Sequence, residues 1–346
     1  MKKVYWLEST KMFTEKKMRK LFTAISLLLF VSIVPIPAFA WNDVGHEITA
    51  YIAWQRMSPI ARENVIKILR KAPEDSMLGA YYAEYGPESE DTRKLDFFML
   101  TASWADVVRS RDFPNRYKKY HKSNWHYSDT FWKQNGDKVE IIDTMPEGGQ
   151  GLKQLIGADV TMRSSTATDA EKALAIAWFM HIGGDLHQPL HTSGRITDLE
   201  PKGDQGGNKF LLTPEGTPYN KQLNLHWFWD SIVNRQDPPK ADEICGLEYI
   251  QNEAKKVIKA YPYKDVSSEL KVGNFDDWLK GSFDLVPKFV FSPDLKRNEL
   301  PSKKYMETAY KTSERQLALA GYRIGDTLEQ IFGSIVTVDQ NKSVDK

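Results

Sequence analysis

His181 and Asp185 stand four residues apart in the run from Phe179 to His191. One helical turn puts that imidazole and that carboxylate on a single face, where both can reach one metal ion. Pro189 is expected to end the helix, leaving His191 beyond it and able to point back at a second ion. His187, two residues past Asp185, faces elsewhere.

The segment Asn224 to Asp230 repeats the spacing with His226 and Asp230. Either pair alone reads more simply as a hydrogen bond on a helix surface, and their recurrence reverses that reading. Asp106, in Ser103-Trp104-Ala105-Asp106, and His126, in Asn124-Trp125-His126-Tyr127, add a carboxylate and an imidazole among bulky aromatics. Nitrogen and oxygen donors without thiolate suit zinc that keeps a position open for water or substrate.

A further donor depends on processing. Lys16, Lys17, Arg19 and Lys20 precede an apolar run from Leu21 to Val34, followed by Pro35, Pro37 and Ala38-Phe39-Ala40. This is the pattern of a secretory signal peptide over residues 1–40, with Met18 offering a second start. The apolar run is shorter than the roughly 20 residues a bilayer requires, so a membrane anchor is the weaker reading. Cleavage after Ala40 would release the chain to the periplasm or the medium. It would also give Trp41 a free α-amine that, with its own carbonyl oxygen, can chelate an ion beside His46.

The elements that must position these groups read as helices. Apolar residues recur at helical spacing in two stretches between Trp41 and Arg70, broken near Ser58-Pro59, and again over 94–108, 149–162, 169–187, 223–233, 241–260 and 304–335. No alternating pattern competes, and 82–90, 133–146, 193–207 and 283–301 read as loops. The expectation is an all-α fold, a single helical domain over residues 41–346.

A formal net charge of +1 excludes an extended electrostatic footprint for duplex DNA, so any nucleic acid must be held locally. The one cysteine, Cys245, excludes intramolecular disulfides and reads as a buried thiol.

These segments resemble the zinc-dependent single-strand nucleases, the family of mung bean nuclease and related fungal and plant bifunctional nucleases. The resemblance is carried by Trp41-Asn42-Asp43-Val44-Gly45-His46, by Ser103 to Asp106, by Trp125-His126-Tyr127-Ser128-Asp129, by His181 to His191, by Gly206-Gly207-Asn208-Lys209 and by His226 to Asp230, in that order. Ala320-Gly321-Tyr322-Arg323 is also similar, whereas nothing aligns between Glu243 and Lys304. The family's disulfides are absent, and the loop from Ser193 to Gln205 is longer than its counterpart.

The resemblance implies a trinuclear zinc cleft. Asp106, His126, His181 and Asp185 would hold one ion; Trp41 and His46, with Asp185 bridging, a second; His191, His226 and Asp230 a third. His121 and His187 are left as ordinary histidines. It further implies an endonuclease that hydrolyses single-stranded DNA and RNA to 5′-phosphate products, with water activated at Asp185, and it allows a 3′-nucleotidase activity. Asp129, one turn after His126, would orient the water, and Arg109, one turn after Asp106, would steady phosphoryl charge. Tyr127 would stack a base, with Gln205 and Asn208 at the base edge. No stable protein partner is expected. Two other readings stay open: a secreted trinuclear-zinc phospholipase C, disfavoured by Asp230 as last ligand and by the Trp41–His46 spacing, and a non-catalytic zinc-binding protein.

Overall fold

The computed structural model describes residues 41–334, apart from residue 137 and residues 240–245. The signal peptide read at 1–40 and Cys245 therefore lie outside the described residues.

Side-chain caps start most of the long helices. Asn42 accepts from the Gly45 amide to open α1 (Asp43–Arg56), and Ser58, followed by Pro59, opens α2 (Pro59–Leu69). Ser89 caps α3 (Glu90–Val107), and the short α4 (Pro114–Tyr120) follows. After α5 (Gly151–Arg163), Thr168 and Glu171 form a reciprocal capping box on α6 (Asp169–Asp185). Asn224 caps α7 (Leu225–Asp230), and a break at Ser231 separates it from α8 (Ile232–Gln236). Then come α9 (Leu247–Ala260), α10 (Tyr263–Val266), α11 (Phe275–Phe283) and α12 (Lys303–Phe332), the last capped by Ser302.

Helix α6 is the centre of the molecule. Every residue from Ala175 to Asp185 is buried, as expected of a helix that is apolar all round. It packs against α1, α2, α3, α5 and α12, while α12 lies along α1. That approach is close because Gly321 and Gly325 face it: a Cβ on Gly321 would sit 2.5 Å from the Ile52 Cβ.

Around this core Trp41, Trp104, Trp132, Trp229 and Trp278 are fully buried. Burying each contributes about 2–3 kcal/mol, provided the indole N–H is satisfied. All five donate: to Gly184 O, Ser76 O, Ser193 Oγ, Tyr305 Oη and Leu270 O respectively.

A small sheet accompanies the helices. Strand β1 (Ser128–Asn135) pairs antiparallel with β2 (Lys138–Ile141) and with β3 (Gly148–Gly149), and parallel with β4 (Ser193–Arg195). The loops read over 133–146 and 193–207 thus contain strands. Only Trp132 of β1 is buried and all of β2 is exposed, so no alternation marks them. Of the stretch from Glu243 to Lys304, where nothing aligned, the described residues are largely helical.

Among the described residues no helix is long and apolar enough to cross a membrane.

Candidate metal centre

Four helices and two 3₁₀ turns deliver buried donors to one region. His46 comes from α1, Asp106 from the last turn of α3, His181 and Asp185 from the end of α6, and His226 and Asp230 from α7. His191 sits on the 3₁₀ turn Pro189–Thr192, so Pro189 opens that turn once α6 has ended at Asp185. His126 follows another 3₁₀ turn, and Asp129 lies on β1 instead of one helical turn further on.

Three groups result: His46, His181 and Asp185; Asp106, His126 and His181; His191, His226 and Asp230. Within each, the ligand atoms lie within 4.8 Å of one another. Asp185 joins the first two, with Oδ1 3.3 Å from His46 Nε2 and Oδ2 3.3 Å from His126 Nδ1 and 3.2 Å from His181 Nε2. Asp230 lies 3.6 Å from His191 Nε2 and 3.4 Å from His226 Nε2.

Backbone carbonyls from distant segments orient three rings. The Nδ1–H of His181 donates to Ala102 O at 2.7 Å, that of His191 to His126 O at 2.6 Å, and that of His226 to Gly206 O at 2.7 Å. Each bond fixes the tautomer and turns the Nε2 lone pair toward the carboxylates, as supporting contacts in metal sites do. Gln188 adds a donor to Asp230 Oδ1 at 2.7 Å.

Both nitrogens of His46, both oxygens of Asp185, and His126 Nε2, His191 Nε2, Asp106 Oδ2 and Asp230 Oδ2 are buried without a hydrogen-bond partner. Orphaned lone pairs on that scale are costly unless a cation takes them, and the donor types fit divalent metal. The electrostatics agree. Burial would raise Asp185, but the rings of His181, His126 and His46 outweigh it and hold it well below the carboxylate range. Burial depresses His126 to about 4. His191 is pushed up to about 9 because Asp230 and Asp185 overcome its burial.

Trp41 is buried, with its indole on Gly184 O, and the next amide, of Asn42, donates to Asp230 O at 3.2 Å. The chain start read for the mature protein thus runs between the ends of α6 and α7. The cleavage that would free its amine falls outside the described residues.

A cleft of about 290 Å³ opens over the donors. Arg109, His126, Tyr127, Asp129, His191, His226, Gln205 and Asn208 line it. Arg109 donates to Asp106 Oδ1 at 2.8 Å. Burial and the neighbouring Asp204 push Asp129 up to about 7, against the pull of His191. The Tyr127 ring lies on Gly149, whose φ of +82° a side chain rarely adopts and whose Cβ would meet the Tyr127 carbonyl at 2.2 Å.

The sequence model of the S1/P1 nuclease family matches residues 41–333, nearly all that the structure describes. The chain belongs to the S1/P1 nuclease family. It is 23% identical to Endonuclease 3 of Arabidopsis thaliana over 90% of this chain and 95% of that protein. It is 26% identical to Endonuclease 2 of the same plant, over 85% and 91%, and 24% identical to Nuclease P1 of Penicillium citrinum, over 85% and 98%. The chain is therefore a nuclease, a hydrolase with a largely helical fold, and its three buried His/Asp groups could hold metal ions. That identity displaces the phospholipase C and the non-catalytic protein.

Two contributions were not anticipated. Gln188 steadies Asp230, and His187 pairs with Arg323 in the core. His187 and Arg323 lie 136 residues apart, so no local spacing announces the pair.

Proposed function

We propose that this nuclease is an exported, single-domain, zinc-dependent endonuclease that hydrolyses single-stranded DNA and RNA to 5′-phosphate products. The carrying observation is the convergence of three buried His/Asp groups, rich in unpartnered donor atoms, beneath a cleft lined by Arg109, Asp129 and Tyr127. The same cleft would accept a 3′-nucleotide.

On this reading Asp106, His126, His181 and Asp185 hold one zinc, Trp41 and His46 with Asp185 a second, and His191, His226 and Asp230 a third. Zinc, when bound, polarises phosphate oxygens and lowers the pKa of its water to about 7.

The chain's own groups supply the rest. Arg109, anchored on Asp106, presents a fixed cation to the phosphoryl oxygens. Asp129, with its carboxyl near 7, holds or releases a proton at the carboxylate oxygen and so orients the attacking water. Tyr127 offers a ring on which an unpaired base stacks, and Gln205 and Asn208 offer amides at its edge. Bases within a duplex keep their faces covered, which favours single strands.

The test is to purify the form beginning at Trp41, measure zinc per chain, and assay denatured DNA, duplex DNA, RNA and lecithin side by side. Three zincs with selective cleavage of the single strands is expected. Equal cleavage of duplex, or fewer than two zincs in an active preparation, would overturn the reading.

A further inference from the structure

We propose that residues 109–122 form a track that carries the sugar-phosphate backbone of a single strand outward from the cleft, so that substrate is held beyond the reacting phosphodiester. This rests on the reading of the cleft as the site where single strands are cut.

The chain leaves the cleft at Arg109 and returns to it at Ser123. Between them stand Arg111, Arg116, Lys118, Lys119 and Lys122 against a single acid, Asp112, in a protein whose whole net charge is +1. A local excess of positive charge thus lies on a segment whose two ends line the cleft.

Two of these cations are engaged elsewhere. Lys119 pairs with Asp75 at 2.5 Å, and Arg116 lies 4.3 Å over the ring of Phe113. Tyr120 also donates to Asp75, at 2.6 Å, so α4 is pinned from that side and forms a fixed platform.

The remaining groups connect back to the cleft. The Tyr117 ring stacks on His121 with centroids 4.7 Å apart and planes 23° apart. Arg111 lies 5.7 Å over Tyr117. Burial lowers His121, and the positive charges of Arg109 and Arg111 add to that. The segment that starts at cleft-lining Arg109 therefore holds the Tyr117–His121 stack with Arg111 over it, and exposed Lys118 on the same helix as Tyr117. Cations held in place by such ring contacts are what the backbone of a single strand engages, its phosphates on the charges. The track is short and local, in keeping with a chain that lacks a duplex-sized basic surface.

The test compares the zinc-loaded protein beginning at Trp41 with its R111E/K118E variant on a thymidine dinucleotide and a thymidine twelve-mer. For the twelve-mer, KM should rise about tenfold with kcat little changed, and the salt dependence should weaken by about 0.7 per lost phosphate contact. For the dinucleotide both parameters should hold. The K255E/K259E variant, which reverses the same charge on exposed α9 positions, should match the parent on both substrates. An unchanged KM on the twelve-mer, an equal rise on both substrates, or an equal rise in the α9 variant would overturn the track.

Should the parent cleave neither substrate, the single-strand nuclease reading fails by itself. The track is then decided by fluorescence anisotropy of a labelled twelve-mer on chelated protein. Weaker binding by R111E/K118E supports it, and equal binding overturns it.

Discussion

In the core, Arg323 of α12 donates to Nε2 of His187 at 2.7 Å, while the Nδ1–H of His187 donates to Gly183 O at 2.6 Å. Burial, and then the guanidinium, hold His187 far below the usual histidine range, so it is a neutral acceptor. Arg323 also donates to the carbonyls of Leu270 and Glu269, and Gln316 of α12 donates to His187 O. One guanidinium thus ties the end of the central helix to α12 and to the segment before α11.

Replacing Arg323 by Met should leave His187 Nε2 and Glu269 O without their donor, while Leu270 O keeps the Trp278 indole. We expect a loss of about 3–5 kcal/mol, read as a large fall in Tm. A fall of only a degree or two would show that the pair is dispensable.

Metal removal should act on stability as well as activity, because the donors sit in the core with unpartnered atoms. Chelation should lower Tm, and zinc should restore it. Asp185 has one oxygen beside His46 and the other beside His126 and His181, so on the proposed reading it serves two zincs, whereas His226 serves one. Asp185→Ala should therefore lose more metal per chain than His226→Ala, as measured by elemental analysis. Equal losses would contradict the shared position of Asp185.

Gly184→Ala sets two effects against each other. Within a helix alanine is favoured by about 1 kcal/mol, but a Cβ at 184 would lie 2.9 Å from His46 Nδ1. We expect the contact to win at the site: His46 shifts from Asp185 and the metal held there is weakened, whatever happens to Tm. Unaltered metal affinity would mean that the ring has room to retreat.

Asp204 provides a pH test away from the donors. Burial raises it to about 6, against the amides of Gly207 and Arg195 and the charge of Arg195. A carboxylate raised on folding costs nothing below the unfolded pKa of about 4. The cost then grows as pH climbs to about 6 and is complete above, at most about 3 kcal/mol. Asp204→Asn should therefore gain in Tm over the parent as pH rises from 4.5 to 7. A difference that is flat, or that shrinks with pH, would refute this.

What could be read along the chain was what depends on spacing. The His-x-x-x-Asp pairs 181/185 and 226/230 announced themselves because one helical turn brings such residues together without help from the rest of the fold. The order of motifs from Trp41 to Asp230 carried the family, and apolar periodicity carried the long helices. The sheet was not legible: β1 buries only Trp132 and pairs with β4 some sixty residues on, so its partner, not its pattern, makes it a strand. Short α4 and α11 hide for the same reason, being too brief to show a period.

The sequence by itself determined which residues could donate to metal and which of them share a helix face, since both follow from residue type and local geometry. Tertiary structure alone decided how those donors are aimed. The carbonyls of Ala102, His126 and Gly206 that turn His181, His191 and His226 come from 20 to 79 residues away. Such bonds arise only when separate segments pack, and directional hydrogen bonds buried from water then leave each ring one orientation.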